Sequence, residues 1–234
     1  MTTLERLQPE PVLDTVRRLE GRIAARFPER GLRRVAAELV ELTLDVQSGA
    51  AETQGRIRTV RLLSRIGAAL VLIGTGVAVV LAARSAVDEG PGEGLDWLFL
   101  VESSINDLAY AAIALYFLYT VPERVQRGHT LELLHRLRSL AHIIDMHQLT
   151  KDPERLQPTF QQTPVSVDPH LDRANMEHYL DYCSELLSLV SKTAALCAEE
   201  SRDSVILETV SRIEQLTNGM SRKIWQKISV LPSA

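Results

Sequence analysis

Residues 66–83 read IGAALVLIGTGVAVVLAA, eighteen positions without a charge. At about 1.5 Å of rise per residue, a run of this length is expected to cross a membrane as a helix. The alternative is a helix buried on all sides in a soluble protein, and nothing else in the chain is apolar enough to surround it. Average composition conceals the segment, because charged residues make up 24% of the 234 positions and the formal net charge is -4.

Moving toward the carboxyl end, the connection SAVDEGPGEGLD is acidic and glycine-rich, and LDWLFLVESSINDLAYAAIALYFLYTVPER follows it. Glu102, Asn106 and Asp107 interrupt this second apolar stretch. Counted back from Pro122, Ser103 to Val121 still gives about 28 Å of helix, enough to cross. Trp97 at one end, with Tyr116 and Tyr119 at the other, suits the preference of amphipathic rings for the two interfaces. The expected element is a membrane hairpin over 56–122, with spans at about 66–83 and 101–121 and a short acidic external loop at 84–96.

The flanks orient the hairpin. Arg56, Arg58, Arg61 and Arg65 precede the first span, and Arg124, Arg127, Arg136 and Arg138 follow the second. The positive-inside bias then predicts an integral protein of the plasma or bacterial inner membrane with both termini cytoplasmic. Gly67, Gly74, Ala78 and Ala82 recur at sevens and fours, a stripe where another helix can approach closely. On the second span Glu102, Asn106 and Tyr110 share a face at spacing four, with Asp107 beside it. Polar groups in hydrocarbon require protein partners, so this face is expected to meet the first span or another subunit.

The rest of the chain is helical in pattern. Within 1–55, Val12, Val16, Leu19, Ile23 and Phe27 repeat at helical spacing, with Pro11 and Asp14 suiting the start of that helix. FPERG interrupts, and Leu32, Val35, Leu39, Leu42 and Val46 follow in a second run. Two short helices are therefore expected to lead into a third that carries the arginines into the bilayer. Residues 123–152 should form a post-membrane helix ending before Pro153, which disfavours helix in the preceding residue. Four prolines and no period mark 153–171 as a linker. In 172–234, Met176, Leu180, Cys183, Leu187, Val190, Ala194 and Cys197 alternate at four and three. Ile206, Val210, Ile213, Leu216, Met220, Ile224 and Ile228 continue after a short polar turn. Two such seams predict an antiparallel helical hairpin. The expected fold class is all-α.

The two cysteines, Cys183 and Cys197, lie about 21 Å apart if one helix carries both, too far for a disulfide within the chain. The amino-terminal MTTLERLQPEPV holds no apolar run of a signal peptide. Acidic net charge, and no basic, aromatic-laced surface beyond the membrane flanks, argue against nucleic acid as a partner.

The stretch LLHRLRSLAHIIDMHQLTKDP at 133–153 gathers three histidines, two arginines and two aspartates. On a helix His135, Arg138, His142 and Asp145 fall within about 80° of one another, away from the apolar side, and His147 lies elsewhere. A second HxxD pair occurs at His178 and Asp181, with Glu185 in line. These three point away from the Met176 seam, so they could meet His142 only across a second interface. The first expectation is a polar stripe that is solvated or bonded to a neighbouring helix. The second is a metal or anionic-ligand site using His142, Asp145 and Arg138 with His178 and Asp181. The third, acid–base catalysis, lacks any nucleophile motif, phosphate loop or oxyanion turn. The basic, Trp225-bearing SRKIWQKISVL could lie on anionic headgroups or, the preferred reading, end a hairpin helix whose cations favour its carboxyl terminus.

Three functions fit. The first is a non-enzymatic, membrane-anchored helical scaffold or signalling protein whose cytoplasmic bundle binds itself or another protein. The second is an oligomeric, ligand-gated pore lined by Glu102, Asn106, Asp107 and Tyr110; in outline the chain resembles two-span pore-forming effectors of bacterial defence systems, a likeness of architecture with no shared motif. The third is a metal-dependent membrane enzyme built on the two HxxD pairs. No organic cofactor is expected.

Overall fold

The computed structural model of the chain describes residues 6–88, 96–157, 159–161, 163–165, 170–199 and 201–231. It is all-α: five α-helices and one 3-10 turn, with no strand among the described residues.

Helix α1 spans Pro9–Arg26 and begins with proline, whose fixed φ suits the first turn and whose missing N–H is no loss there. It starts two residues before Pro11. The chain turns at Phe27, whose N–H bonds to the Ile23 carbonyl at 2.7 Å. Helix α2 then runs unbroken over Gly31–Asp88, 58 residues. The sequence suggested separate second and third helices here, but the intervening AAETQGRIR is rich in strong helix formers. A lone glycine costs only about 1 kcal/mol, too little to end a helix. Helix α3 covers Asp96–Leu149 and passes through Pro122, where the sequence placed the end of a span. The connection at 89–95 lies outside the described residues, as do parts of the proline-rich segment.

That segment opens with a 3-10 turn at Pro153–Leu156, capped by Asp152, whose carboxylate accepts from the Glu154 N–H. Helix α4, Arg173–Ala198, is capped by Asp172, and α5, Ser204–Ser229, by Asp203, whose carboxylate accepts from the Val205 and Ile206 N–H groups. Each cap satisfies donors that the first helical turn leaves unpaired.

The structure divides into two compact units, Met1–Ala51 with His129–Ala234, and Glu52–Gly128. In the first, all ten apolar positions named for the amino-terminal helices are buried, among them Val16, Ile23, Leu39 and Leu42. Helix α4 is the centre of this unit. Beyond its expected seam it also buries Tyr179, Tyr182, Leu186, Leu189 and Thr193, because α5 covers one side and α1 another. Thr43 and Thr193 meet in the interior, hydroxyl to hydroxyl at 3.2 Å. On α5 it is Thr217, not Leu216, that faces fully inward; its hydroxyl returns to the Ile213 carbonyl at 3.0 Å.

The second unit holds the middle of α2 and the first part of α3. Leu62–Leu81 is a stretch of 20 residues long and apolar enough to cross a membrane, and none of it is buried. It is the one such stretch among the described residues. Gly67 allows a close approach: a Cβ there would lie 3.3 Å from the Leu118 methyls of α3.

Candidate functional site

On α3 the inward stripe Leu133, Leu137, Leu140, Ala141 and Ile144 is buried as its spacing requires. His135, Arg138 and His142 are exposed on the outer side. Arg136 reaches α2 with both guanidinium arms, to Glu38 and to Asp45 at 3.0 Å each. Asp145 is half-buried and accepts from the Gln148 side-chain amide at 2.8 Å.

The second HxxD pair belongs to a different contact. His178 is half-buried and stacks on Tyr182, with ring centroids 6.4 Å apart. The Arg22 guanidinium of α1 sits 5.0 Å above the Tyr182 ring and forks onto Glu185 at 2.7 and 3.1 Å. His178, Tyr182 and Glu185 thus form the face of α4 turned to α1, with Asp181 half-buried beside it. Among the described residues no group of three or more His, Cys, Asp or Glu is arranged to hold a metal ion.

What the fold does bring together lies one turn further along α3. Its inward stripe continues past Ile144 to Gln148 at 1% exposure, and just beyond the end of the helix Lys151 is 9% exposed. The His147 ring rests against the first residue of α2, where a Cβ on Gly31 would come within 2.6 Å of its Cε1. Its Nδ1 lies 3.3 Å from the Tyr179 hydroxyl. Burial, then the charges of Lys151 and Arg34, holds this imidazole below its ordinary pKa. Tyr179 is pushed well up, mainly by burial, and stays a phenol; its ring meets Phe27 edge to face at 5.3 Å.

Lys151 carries its ammonium 5.2 Å over the Tyr179 ring and donates to the Thr150 hydroxyl at 2.9 Å. Lys227 reaches across from α5 and donates to the Gln148 and Lys151 carbonyls at 2.9 and 3.2 Å, satisfying the exposed carboxyl end of α3. Both ammonium groups are lowered chiefly by burial; for Lys151 the nearby Arg30 and Lys227 add to the effect. Cys183 lies buried among them, its thiol pushed far up by desolvation and therefore inert. Cys197, by burial alone, is pushed up to about 12. Gln148 Oε1 is buried with no hydrogen-bond partner among the described residues.

The sequence held one signal for this group. Positions 148 and 151 extend the buried step of α3, and a polar residue at a core position marks a local rule being broken. Lys227 had no such signal, since only packing brings α5 to the end of α3. That position also places the basic Trp225 segment beside the far end of α3, as the end of a hairpin helix.

In the second unit Glu102, Asn106 and Asp107 are exposed, and Tyr110 is 71% exposed. The less exposed of the described side chains there are Ser64, Gly67, Ala68, Val71 and Thr75 of α2 and Thr120 of α3, with the stripe Ala111, Ala114, Leu115 and Leu118 of α3. At about 100° per residue, Glu102, Asn106 and Tyr110 point roughly 90° to 170° away from that α3 stripe, whereas Asp107 points along it. The four polar residues are thus two groups and not one face. Of the small-residue stripe, a Cβ at Gly67 would touch Leu118, a Cβ at Gly74 would meet no described atom within 4 Å beyond its own stretch of helix, and Ala78 is exposed. The side chains of Ala82 and Trp97 lie outside the described set.

No family model, curated protein or solved structure matches the chain.

Proposed function

We propose that the chain is a non-enzymatic, membrane-anchored helical interaction protein. The second unit is its two-span anchor, and the first is a cytoplasmic bundle that offers surfaces to a protein partner or to a second copy. The observation that carries this reading is the bare apolar stretch Leu62–Leu81. An unburied apolar surface of this size needs a cover that the described residues of its own unit do not supply, and lipid is the cover whose thickness matches it. The arginines on either side of the hairpin support an inner-face location for both termini. Extraction of native membranes at alkaline pH tests the anchor, and accessibility of tags at each terminus in intact cells tests the topology. A chain that leaves the membrane at high pH, or stays monodisperse in detergent-free buffer, would end this proposal.

A gated oligomer is the second reading, favoured by the direction of Glu102, Asn106 and Tyr110 away from α2. In hydrocarbon this face would need another subunit as its partner. Ion flux in liposomes that survives the double substitution Glu102→Gln with Asp107→Asn counts against it.

A further inference from the structure

We infer that His147 is an acid-sensitive fastener: its neutral ring clamps the amino end of α2 to the carboxyl end of α3, and protonation releases that contact while the rest of the first unit stays folded. The inference rests on the first unit alone and is independent of the membrane reading.

The contact depends on the residues that make it. The ring lies so close to Gly31 that a Cβ there would come within 2.6 Å of Cε1 and 3.2 Å of Nε2. Any side chain at position 31 would therefore displace it. On the other edge, Nδ1 lies 3.3 Å from the Tyr179 hydroxyl, which stays protonated and can donate to a neutral ring. An imidazolium carries a proton on both nitrogens and accepts nothing, so protonation removes that acceptor. The ring is half-buried, and water still reaches it.

The groups around the ring disfavour its charged form. The first turn of α2, Gly-Leu-Arg-Arg at 31–34, holds no acid, and Arg34 acts on the imidazole directly. The amino end of a helix is itself partially positive. Beyond the end of α3, Lys151 acts with the same sign, and the Thr150 hydroxyl and Tyr179 ring hold its ammonium in place. Helix α4 contributes the uncharged Tyr179 and, beside it, the un-ionised Cys183. Arg30 and Lys227 lie near Lys151 and are engaged, by the His170 carbonyl and by the carbonyls that end α3. One influence opposes these: His147 stands in the last turn of α3, whose carboxyl end favours a cation. Lys227 already occupies the Gln148 and Lys151 carbonyls there, and Asp145 is turned to the Gln148 amide. Burial and the two cations prevail. A ring that gains a proton gains hydration by leaving, which parts the turn at 27–31 from the segment at 147–151. Leu32 and Leu39 of α2 and Ile144 of α3 are fully buried, and they confine the opening to these two ends.

The test is hydrogen exchange of the full chain in a neutral detergent at about pH 7.5 and about pH 5, corrected for the intrinsic pH dependence of exchange. Acid should speed exchange roughly threefold to tenfold in peptides covering 27–36 and 147–157 and leave 208–224 of α5 unchanged. In His147→Gln the acid-dependent increase should vanish. Proton NMR of the ring, identified by its absence in that variant, should show titration below pH 6.5, moving back toward that value in Gly31→Ala. The inference is overturned if the ring titrates at or above 6.5, if the acid-dependent increase persists in His147→Gln, or if acid speeds exchange evenly across the unit. Should the glutamine variant prove open at both pH values, the Gly31→Ala titration decides, and a ring whose titration does not move there overturns the inference.

Discussion

One helix passes through two environments. In α2, Leu39 is fully buried and Leu70 is 65% exposed, although both are leucines in regular helix. Around Leu39 the apolar residues form a stripe and the rest of the circumference is polar. Around Leu70 nearly every position is apolar. A stripe can be satisfied by neighbouring helices of the same chain, whereas a helix apolar on all sides cannot be covered by one partner. The two units therefore teach that identical secondary structure demands different surroundings according to how hydrophobicity is distributed around it.

The widest contrast should come from truncation. Leu137→Ala removes a fully buried side chain of the first unit and should cost about 2–5 kcal/mol. Leu72→Ala, at an exposed position of the second, should leave thermal unfolding in detergent nearly unchanged. Equal losses at both sites would mean that the second unit has a core of its own. A charge tests the other side of the contrast. Ile73→Arg should carry an insertion penalty of about 2.5–3.5 kcal/mol near the centre of a span, read as loss of the membrane-resistant fraction. If the variant is instead more soluble and otherwise intact, the stretch is an exposed surface and not an anchor.

Smaller effects sharpen the picture of the first unit. Asp203→Ala deletes the cap of α5 and should cost about 1 kcal/mol in chemical denaturation. A mere few tenths would show that the α4–α5 turn is held by packing alone. The gentlest effect is pH dependence. His147 has a folded-state pKa below its unfolded value, so the folded state binds fewer protons than the unfolded one just below pH 6.5. Its contribution to stability is complete above that value and declines as pH falls through it. His147→Gln should flatten the slope of stability between about pH 5 and 7. An unchanged slope would assign the pH response to other groups.

The burial of particular residues shows how far periodicity reaches. Val16, Leu39, Met176 and Ile213 were identifiable as core from spacing alone, and each is buried. Helix boundaries were less legible: nothing local distinguishes a helix that stops before residue 56 from one that runs through it. The HxxD pairs illustrate the limit for sites. His142 and His178 look alike in sequence, yet one is exposed and the other stacks on Tyr182 beside Arg22. Local pattern states which face a side chain occupies, and it is silent about which helix that face meets.

The sequence by itself determined the helical class, the positions of the stripes and the presence of a segment apolar on all sides, because each depends on residues within a few turns of one another. Only the tertiary structure decided that Lys151 and Lys227 share one end of the bundle and that His147 rests on Gly31. Those outcomes depend on how distant helices pack and where each one ends, quantities set by the summed burial of the whole unit and by no single stretch of chain.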